Sequence, residues 1–471
     1  MKAKPMAAAI LVALAAGCSS LSAQRDEDRA ELRELVSERL SVELPTLEQD
    51  DGAIDPEVLA LLQKPLDEAT AVKIALLNNR EVRAEFARLG VSSAELVQAG
   101  LLSNPVLSAN AKFFDGGTEI EFGVVQSFLD VFFLGARKKI QTAELAATKA
   151  RVAGRIIGLV SDVRRALVEV RAAQCFVAIE QEILRAAQAS ADLMGELHRQ
   201  GNVTDPELTA EELSLVQATL MLAEAESEAV EAREPLNVLL GLWGESVSWS
   251  VAGSLPDEMD PALDLEHVET RAIAASLELT AIRAEATAAG RRAGIVGWEA
   301  VLESSQIGLA GLTSSGSSEW GLGPALGFGL PIFDSGATRR SAAAAMLDES
   351  LAHHISRAIE VRSGARRLRE RHVALRDQAA FIRAEQLPKA KRLVRETLRN
   401  YNAMQIGVFD VFVAKQQEIG AARGYVEKLR DAWLARIDLE ELLAGHLNEQ
   451  RICAQPTGSS HSTTTTSSGA H

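Results

Sequence analysis

The chain has 471 residues, of which 47% are hydrophobic but only 4% aromatic, with Ala, Leu, Glu and Arg prominent. That balance favours long helices packed side by side over an aromatic-rich globular core. A formal net charge of −16 argues against nucleic acid as a partner, and cysteines at 18, 175 and 453 lack metal-ligand spacing and suggest no disulfide framework.

Lys2 and Lys4 precede an apolar run from Met6 to Ala16. At eleven residues it is too short to span a bilayer, which needs roughly 20, and it reads as the core of a signal peptide over residues 1–17. LAAGC, from Leu14 to Cys18, resembles the lipobox of bacterial lipoproteins. The resemblance implies that Cys18 is acylated and becomes the mature N-terminus, and that Ser19 permits sorting to the outer membrane. Residues 18–63 then form a lipid-anchored N-terminal tether, in which Gln24 to Leu40 is a charged amphipathic stretch.

No later segment offers a long charge-free apolar run, so any further membrane element must consist of strands, which cross lipid only as closed barrels. Val106 to Phe114 alternates Leu107, Ala109, Ala111 and Phe113 against Ser108, Asn110 and Lys112. A turn at Asp115-Gly116-Gly117 leads to a returning strand, Glu119 to Phe128, with Ile120, Phe122 and Val124 opposite Glu119, Glu121 and Gly123. A second pair is predicted at Val301 to Leu312 and Glu319 to Ile332. Its later member alternates more strictly: Trp320, Leu322, Leu326, Phe328 and Leu330 share one face, and Gly321, Gly323, Ala325, Gly327 and Gly329 the other. Pro324, on the apolar face, predicts a bulge or a local break in pairing, because proline removes a ladder donor. Trp298 and Trp320 bracket these strands and fit interfacial girdles.

The rest reads as helix. Ala136 to Gln200 has no proline and places Leu159, Val163, Leu167 and Val170 at spacings of four and three; Gly336 to Asn400 is similar in length. Val426, Leu429, Trp433 and Ile437 continue the period near the C-terminus. Four strands cannot close a barrel alone, so the chain must oligomerise. The order helix, hairpin, long helix, turn, helix occurs twice. Asn79 to Ala87 echoes Ser276 to Ala284, and Leu239 to Trp243 echoes Leu442 to His446, which supports an internal duplication.

Pro65 to Glu85 (PLDEATAVKIALLNNREVRAE), Leu101 to Ser108 (LLSNPVLS), Leu330 to Arg340 (LPIFDSGATRR), Leu387 to Tyr401 (LPKAKRLVRETLRNY) and the paired RQGNVTDPEL and MQIGVFDVF occur in a telling order and spacing. From about Leu66 to Gly445 the chain resembles the TolC-like outer membrane factor family, in particular its lipid-anchored members from tripartite efflux systems. The resemblance implies a mostly helical homotrimer: long antiparallel helices form an α-barrel, and four strands per subunit contribute to a shared twelve-stranded β-barrel. Residues 64–250 are then the first repeat, with strands at about 104–130, and 251–448 the second, with strands at about 301–333. Residues 449–471 are a Ser/Thr-rich disordered tail. The leucine and phenylalanine face of the strands would meet lipid, and the glycine face would line the lumen.

The family also implies a function: passive export of small molecules or metal ions through an outer membrane channel. Its partners would be a periplasmic adaptor (membrane fusion) protein and an inner-membrane pump of the RND type. The expected location is the outer membrane, with a lipid anchor and an extension into the periplasm. A pore-free periplasmic coiled-coil scaffold lipoprotein and the outer component of type I protein secretion are the alternatives. The turns at His198 to Leu208 and Asn400 to Phe412 fall at the periplasmic tips. Gly201, Asn202, Val203, Gln405, Ile406 and Gly407 are the expected adaptor contacts. Asp410 takes the place of an acidic constriction residue, with Glu207 its counterpart in the first repeat; the other reading is that Asp410 caps the returning helix. Val413 stands where the archetype has a second Asp, and Met404 replaces the usual tip glycine.

Catalytic readings fare poorly. His353 and His354 are adjacent on a helix and point about 100° apart, so they do not form a ligand pair. Cys175 reads as a packed residue. No nucleophile elbow, phosphate loop or dinucleotide fingerprint occurs, so neither enzyme activity nor a metal or other cofactor is expected.

Overall fold

The computed structural model describes residues 4–40, 42–45, 54–115, 117–127, 129–259, 263–302, 305–314, 321–327 and 336–448. Among them the chain runs α1 (Lys4–Leu40), α2 (Pro56–Leu62), α3 (Glu68–Asn78), α4 (Arg80–Ala99), β1 (Val106–Phe114), β2 (Gly117–Ser127), α5 (Leu129–Arg199), α6 (Asp205–Glu231) and α7 (Arg233–Leu240). It continues with α8 (Val268–Ala275), α9 (Leu277–Leu302), β3 (Gln306–Ser314), β4 (Gly321–Gly327), α10 (Ala337–Phe381), α11 (Leu387–Asn402) and α12 (Val408–Ala444). A kinked pair of helices, a hairpin and long returning helices thus appear twice.

A capping residue sets the kink in each repeat. Asp67 accepts the Thr70 amide at 2.8 Å and opens α3. Asn79 is extended (φ −66°, ψ 125°), ends α3, and accepts the Glu81 amide at 2.7 Å to start α4. Ser276 repeats the device between α8 and α9 (φ −59°, ψ 119°), its hydroxyl accepting the Leu279 amide at 3.2 Å. Each kink lies against a left-handed glycine that ends a later helix. Gly241 (φ 66°) follows α7 and packs on the Asn78 carbonyl; Gly445 (φ 106°) follows α12 and packs on the Ala275 carbonyl. A Cβ on Gly241 would stand 2.9 Å from one carbonyl oxygen, and a Cβ on Gly445 2.2 Å from the other, so both positions require glycine.

The main core gathers around these junctions. Ala71, Ile74, Leu76 and Leu77 of α3 pack with Leu89 of α4, Ile156, Ile157 and Leu167 of α5, and Leu236 and Leu240 of α7. Leu32 and Val36 of α1 are fully buried in the same cluster, so the amphipathic stretch is docked helix. A second cluster joins Val268 and Ala272 of α8, Val361, Ala365 and Leu368 of α10, and Leu439 and Leu442 of α12.

The first long segment is an unbroken helix of 71 residues, about 105 Å at ~1.5 Å per residue. The second is not. Residues Ile382–Gln386 form a π-helical turn between α10 and α11. Pro388 lies just beyond it, and a proline inside a helix removes one i→i−4 bond and crowds the preceding turn, which the widened turn accommodates. The expectation of a helix matching the first over Gly336 to Asn400 overlooked this proline.

The strands make one antiparallel four-stranded sheet in the order β1-β2-β3-β4, so the two hairpins, distant in sequence, join through β2 and β3. β1 has the predicted bounds. The third strand was expected from Val301, but α9 continues to Leu302 and β3 begins at Gln306; Trp298 therefore stands on helix, not at a strand end. Pro324 faces Leu309 in an uninterrupted register, with no bulge. β4 is an outer strand of the sheet, and proline is tolerated where its nitrogen has no partner to serve. Trp320, Phe328, Leu330 and the Ser/Thr-rich tail lie outside the described residues.

Candidate functional site

The sheet has two chemically distinct faces. Register places Leu107 beside Val124, Ala109 beside Phe122, Val124 beside Leu309, and Ile307 beside Leu326, so most apolar residues of the four strands share one face, while Val106, Val125 and Leu312 fall on the other. These side chains stand open: Leu107, Phe113, Leu309, Leu322 and Leu326 are all exposed. The opposite face carries Ser108, Asn110, Lys112, Glu119 and Glu121 beside Gly123, Ala310, Gly321 and Gly323, with a 3.8 Å ion pair between Lys112 and Glu121. A soluble sheet would turn its apolar face to a core. Here that face is outward, and among the described residues the outer edges of β1 and β4 have no strand partner within the protomer.

At the opposite end of the long helices lie two turns built alike. Gly201 (φ 77°) ends the first helix and Met404 (φ 56°) ends the second, both left-handed. Three residues on, Thr204 and Gly407 occupy the N-cap positions, and three further on stand Glu207 and Asp410. Glu207 accepts the Thr204 amide at 2.8 Å and its hydroxyl at 2.7 Å, and these bonds hold its pKa below the usual carboxylate range. Asp410 accepts the Gly407 amide at 3.2 Å. Both acids therefore cap the returning helix, and both remain exposed. Val203 and Ile406 are half-buried beneath the turns, while Gly201, Asn202, Gln405 and Gly407 are exposed. The expected tip residues thus come together within each turn as matched sets. Met404 does stand in the glycine place, 94% exposed. Val413 is exposed one turn along α12.

Sequence reasoning missed a charged cluster at the junction of the repeats. Arg165 of α5 donates to Glu441 at 2.7 Å and to Asp162 at 3.1 Å, and also bonds Asp438. His446 Nδ1 lies 2.9 Å from Glu278 and its Nε2 3.7 Å from Glu441. Burial pushes the Glu441 carboxyl up to about 7; Arg165 and His446 pull it down, while Asp162 and Asp438 add to the rise. Burial alone would lower the His446 pKa, but Glu278, Glu441 and Asp162 raise it overall. No local pattern marks this cluster, because its members come from α5, α9, α12 and the segment after it.

Cys18 lies on α1, which runs through it without interruption. Cys175 is a free, partly buried thiol packed with Leu429 and Ile437. Among the described residues no group of side chains is disposed to hold a metal ion, and no helix is long and apolar enough to cross a membrane.

Residues 71–242, from α3 to just beyond α7, match the family model for outer membrane efflux proteins. No match is found among curated proteins. Solved structures are similar over most of the chain. The outer-membrane channel OprN aligns at 17% identity and a TM-score of 0.69, over 85% of this chain and 98% of that one. CusC aligns at 17% identity and a TM-score of 0.66, over 85% and 99%. VceC, an outer membrane protein of Vibrio cholerae, aligns at 16% identity and a TM-score of 0.67, over 81% and 97%. At such identities the likeness is one of fold, and it extends through both repeats, including the half that the family model does not match. The chain thus carries an outer membrane efflux protein domain at residues 71–242, within the fold of the outer-membrane channels.

Proposed function

We propose that the chain is the outer membrane channel of a tripartite efflux system, which conducts small molecules or metal ions passively from the periplasm to the exterior. It acts as a homotrimer whose three sheets close into a twelve-stranded barrel, anchored additionally by a lipid on Cys18. A periplasmic adaptor meets the helix tips around Gly201 to Val203 and Gln405 to Gly407, and an inner-membrane pump of the RND type supplies the energy. The observation that carries this reading is the sheet itself, whose outward apolar face and two unpaired edges suit a barrel segment in lipid and suit no soluble hairpin. A pore-free scaffold would leave both features without a use.

Asp410 gives the reading a test at the tip. Around a threefold axis, three copies would ring the passage, joined by Glu207, and would draw cations. Because its one bond is to an exposed amide of its own turn, removing the carboxylate should cost the helix about 0.5–2 kcal/mol and leave assembly intact. Asp410→Ala should therefore weaken block by multivalent cations in single-channel recordings while trimers survive. Unaltered block in an assembled mutant trimer would place the constriction elsewhere.

A further inference from the structure

The two repeats close their helix ends with different donors. In the first, α3 ends at Asn78 and α7 at Leu240, and the Asn78 amide nitrogen donates to the Leu240 carbonyl at 2.9 Å and the Gly241 carbonyl at 2.7 Å. Asn78 is 1% exposed, so this junction is sealed from water by its own side chain. In the second repeat the corresponding helices are α8, ending at Ala275, and α12, ending at Ala444. The residue in the place of Asn78 is Ala275, which has no side-chain donor. Two helix C-termini converge there, each with unpaired carbonyls and the negative end of its dipole.

The missing donor comes from elsewhere in the chain. Arg39, on the last turn of α1, reaches in with Nη1 and donates to the Ala275 carbonyl at 2.5 Å and to the Ala444 carbonyl at 2.8 Å. The shared element is the helix-end carbonyl, Leu240 in one repeat and Ala444 in the other. Gly445 keeps the passage open: a Cβ there would stand 2.3 Å from Arg39 Nη1. Burial lowers the pKa of the guanidinium, and Glu38 and Glu278 partly offset this by attracting its charge. Further back along α1, the fully buried Asp28 accepts the Ser93 hydroxyl of α4 at 2.5 Å and pairs with Lys149 of α5 at 2.7 Å. The same helix is therefore fixed to the first repeat by Asp28, Leu32 and Val36, and to the second by Arg39.

We propose that the N-terminal segment is a clasp for the second repeat: Arg39 supplies from outside the donor that Asn78 supplies from within the first. The helix-end junction of the second repeat is then incomplete without the N-terminal segment, whereas that of the first closes with its own Asn78. A guanidinium is well suited to the place, because a single positive fork answers two carbonyls and two helix dipoles at once. The anchored end of the chain would thereby be tied to α12, the helix whose far end carries Asp410.

Hydrogen exchange on the full-length, membrane-extracted trimer tests this. Arg39→Ala should speed exchange of the Leu277 amide, which donates to Gly445, and of the Gly445 and His446 amides by about tenfold or more, as expected for losing a charged donor to two carbonyls. The equivalent amides of Gly241 and Leu242 should not change. Adding Ala275→Asn, which installs the first repeat's residue, should restore protection at 277, 445 and 446. If Arg39→Ala yields no trimer, recovery of trimer by Ala275→Asn supports the clasp, and failure to recover overturns it. Unchanged exchange in Arg39→Ala, equal loosening of both junctions, or loosening that Ala275→Asn leaves uncorrected would each overturn it too.

Discussion

Met404 holds a left-handed backbone that its counterpart Gly201 adopts freely. A side chain there costs about 1–2 kcal/mol, against which glycine loses about 0.5–1 kcal/mol in chain entropy. Met404→Gly should therefore leave the tip as stable or firmer by up to ~1.5 kcal/mol, read as slower exchange of the Gln405 amide bonded to Asn400. Marked loosening would mean that the methionine side chain holds the turn.

Glu441 and His446 set a pH dependence at the same scale. Both have folded pKa values raised above their ordinary ones. The protonated Glu441 contributes stability that is complete below the usual carboxylate range and is lost as pH rises to about 7. The His446 contribution is complete below the ordinary histidine range and is lost as pH rises past its elevated value. Glu278 has the opposite sign: burial favours its neutral form, but bonds from His446 and the Leu447 amide hold its pKa down, so its contribution is lost only on acidification. Unfolding temperature should therefore fall between pH 6 and pH 8, with a slope of at most about 1.4 kcal/mol per pH unit for each proton involved. Glu441→Gln should reduce that slope to the His446 contribution, and a slope left undiminished by the substitution would rule out Glu441 as a source.

Among elements, the strands were legible because their two faces differ in bulk and polarity, and the resulting period of two stands in the sequence at 106–114 and 321–327. The edges were less so. Val301 and Leu302 continue a helix although they fit the start of an apolar strand, since a short apolar run fits either period. Pro388 was visible, yet its effect was local: it widened one turn and left the direction of the helix pair standing. Leu322 and Gly323, adjacent on β4, test the assignment of faces. Leu322→Arg should reduce trimer yield, at roughly 2–4 kcal/mol if the site lies near the bilayer midplane, and Gly323→Arg should assemble because in the proposed barrel it would point to a watery lumen. The reverse ranking would invert the faces.

For the whole molecule, the duplicated order of elements could be read from echoes such as Asn79 with Ser276 and Gly241 with Gly445, and the structure gives those echoes a cause. They are the helix breaks and the left-handed glycines that meet them. The contacts that cross the chain were not legible: Arg39 to Ala275 and Ala444, Asp28 to Ser93 and Lys149, and Arg165 to Asp438 and Glu441. Each partner looks like one more charged or small residue on a polar helix face, and only the packing of distant helices selects it. The tip acids fall between. Their position in the turns was readable; their capping bonds belong to the protomer, and the proposed ring of charges would arise only in a trimer.

The central claim is that this chain assembles into an open-ended pore. Single-channel recording of the purified full-length protein in planar bilayers tests it most directly. Trimeric insertion should give discrete conductance steps that require no energy source and are reduced by multivalent cations from the side bearing the helix tips. Protein that inserts as folded trimers into the bilayer and passes no current would contradict the account.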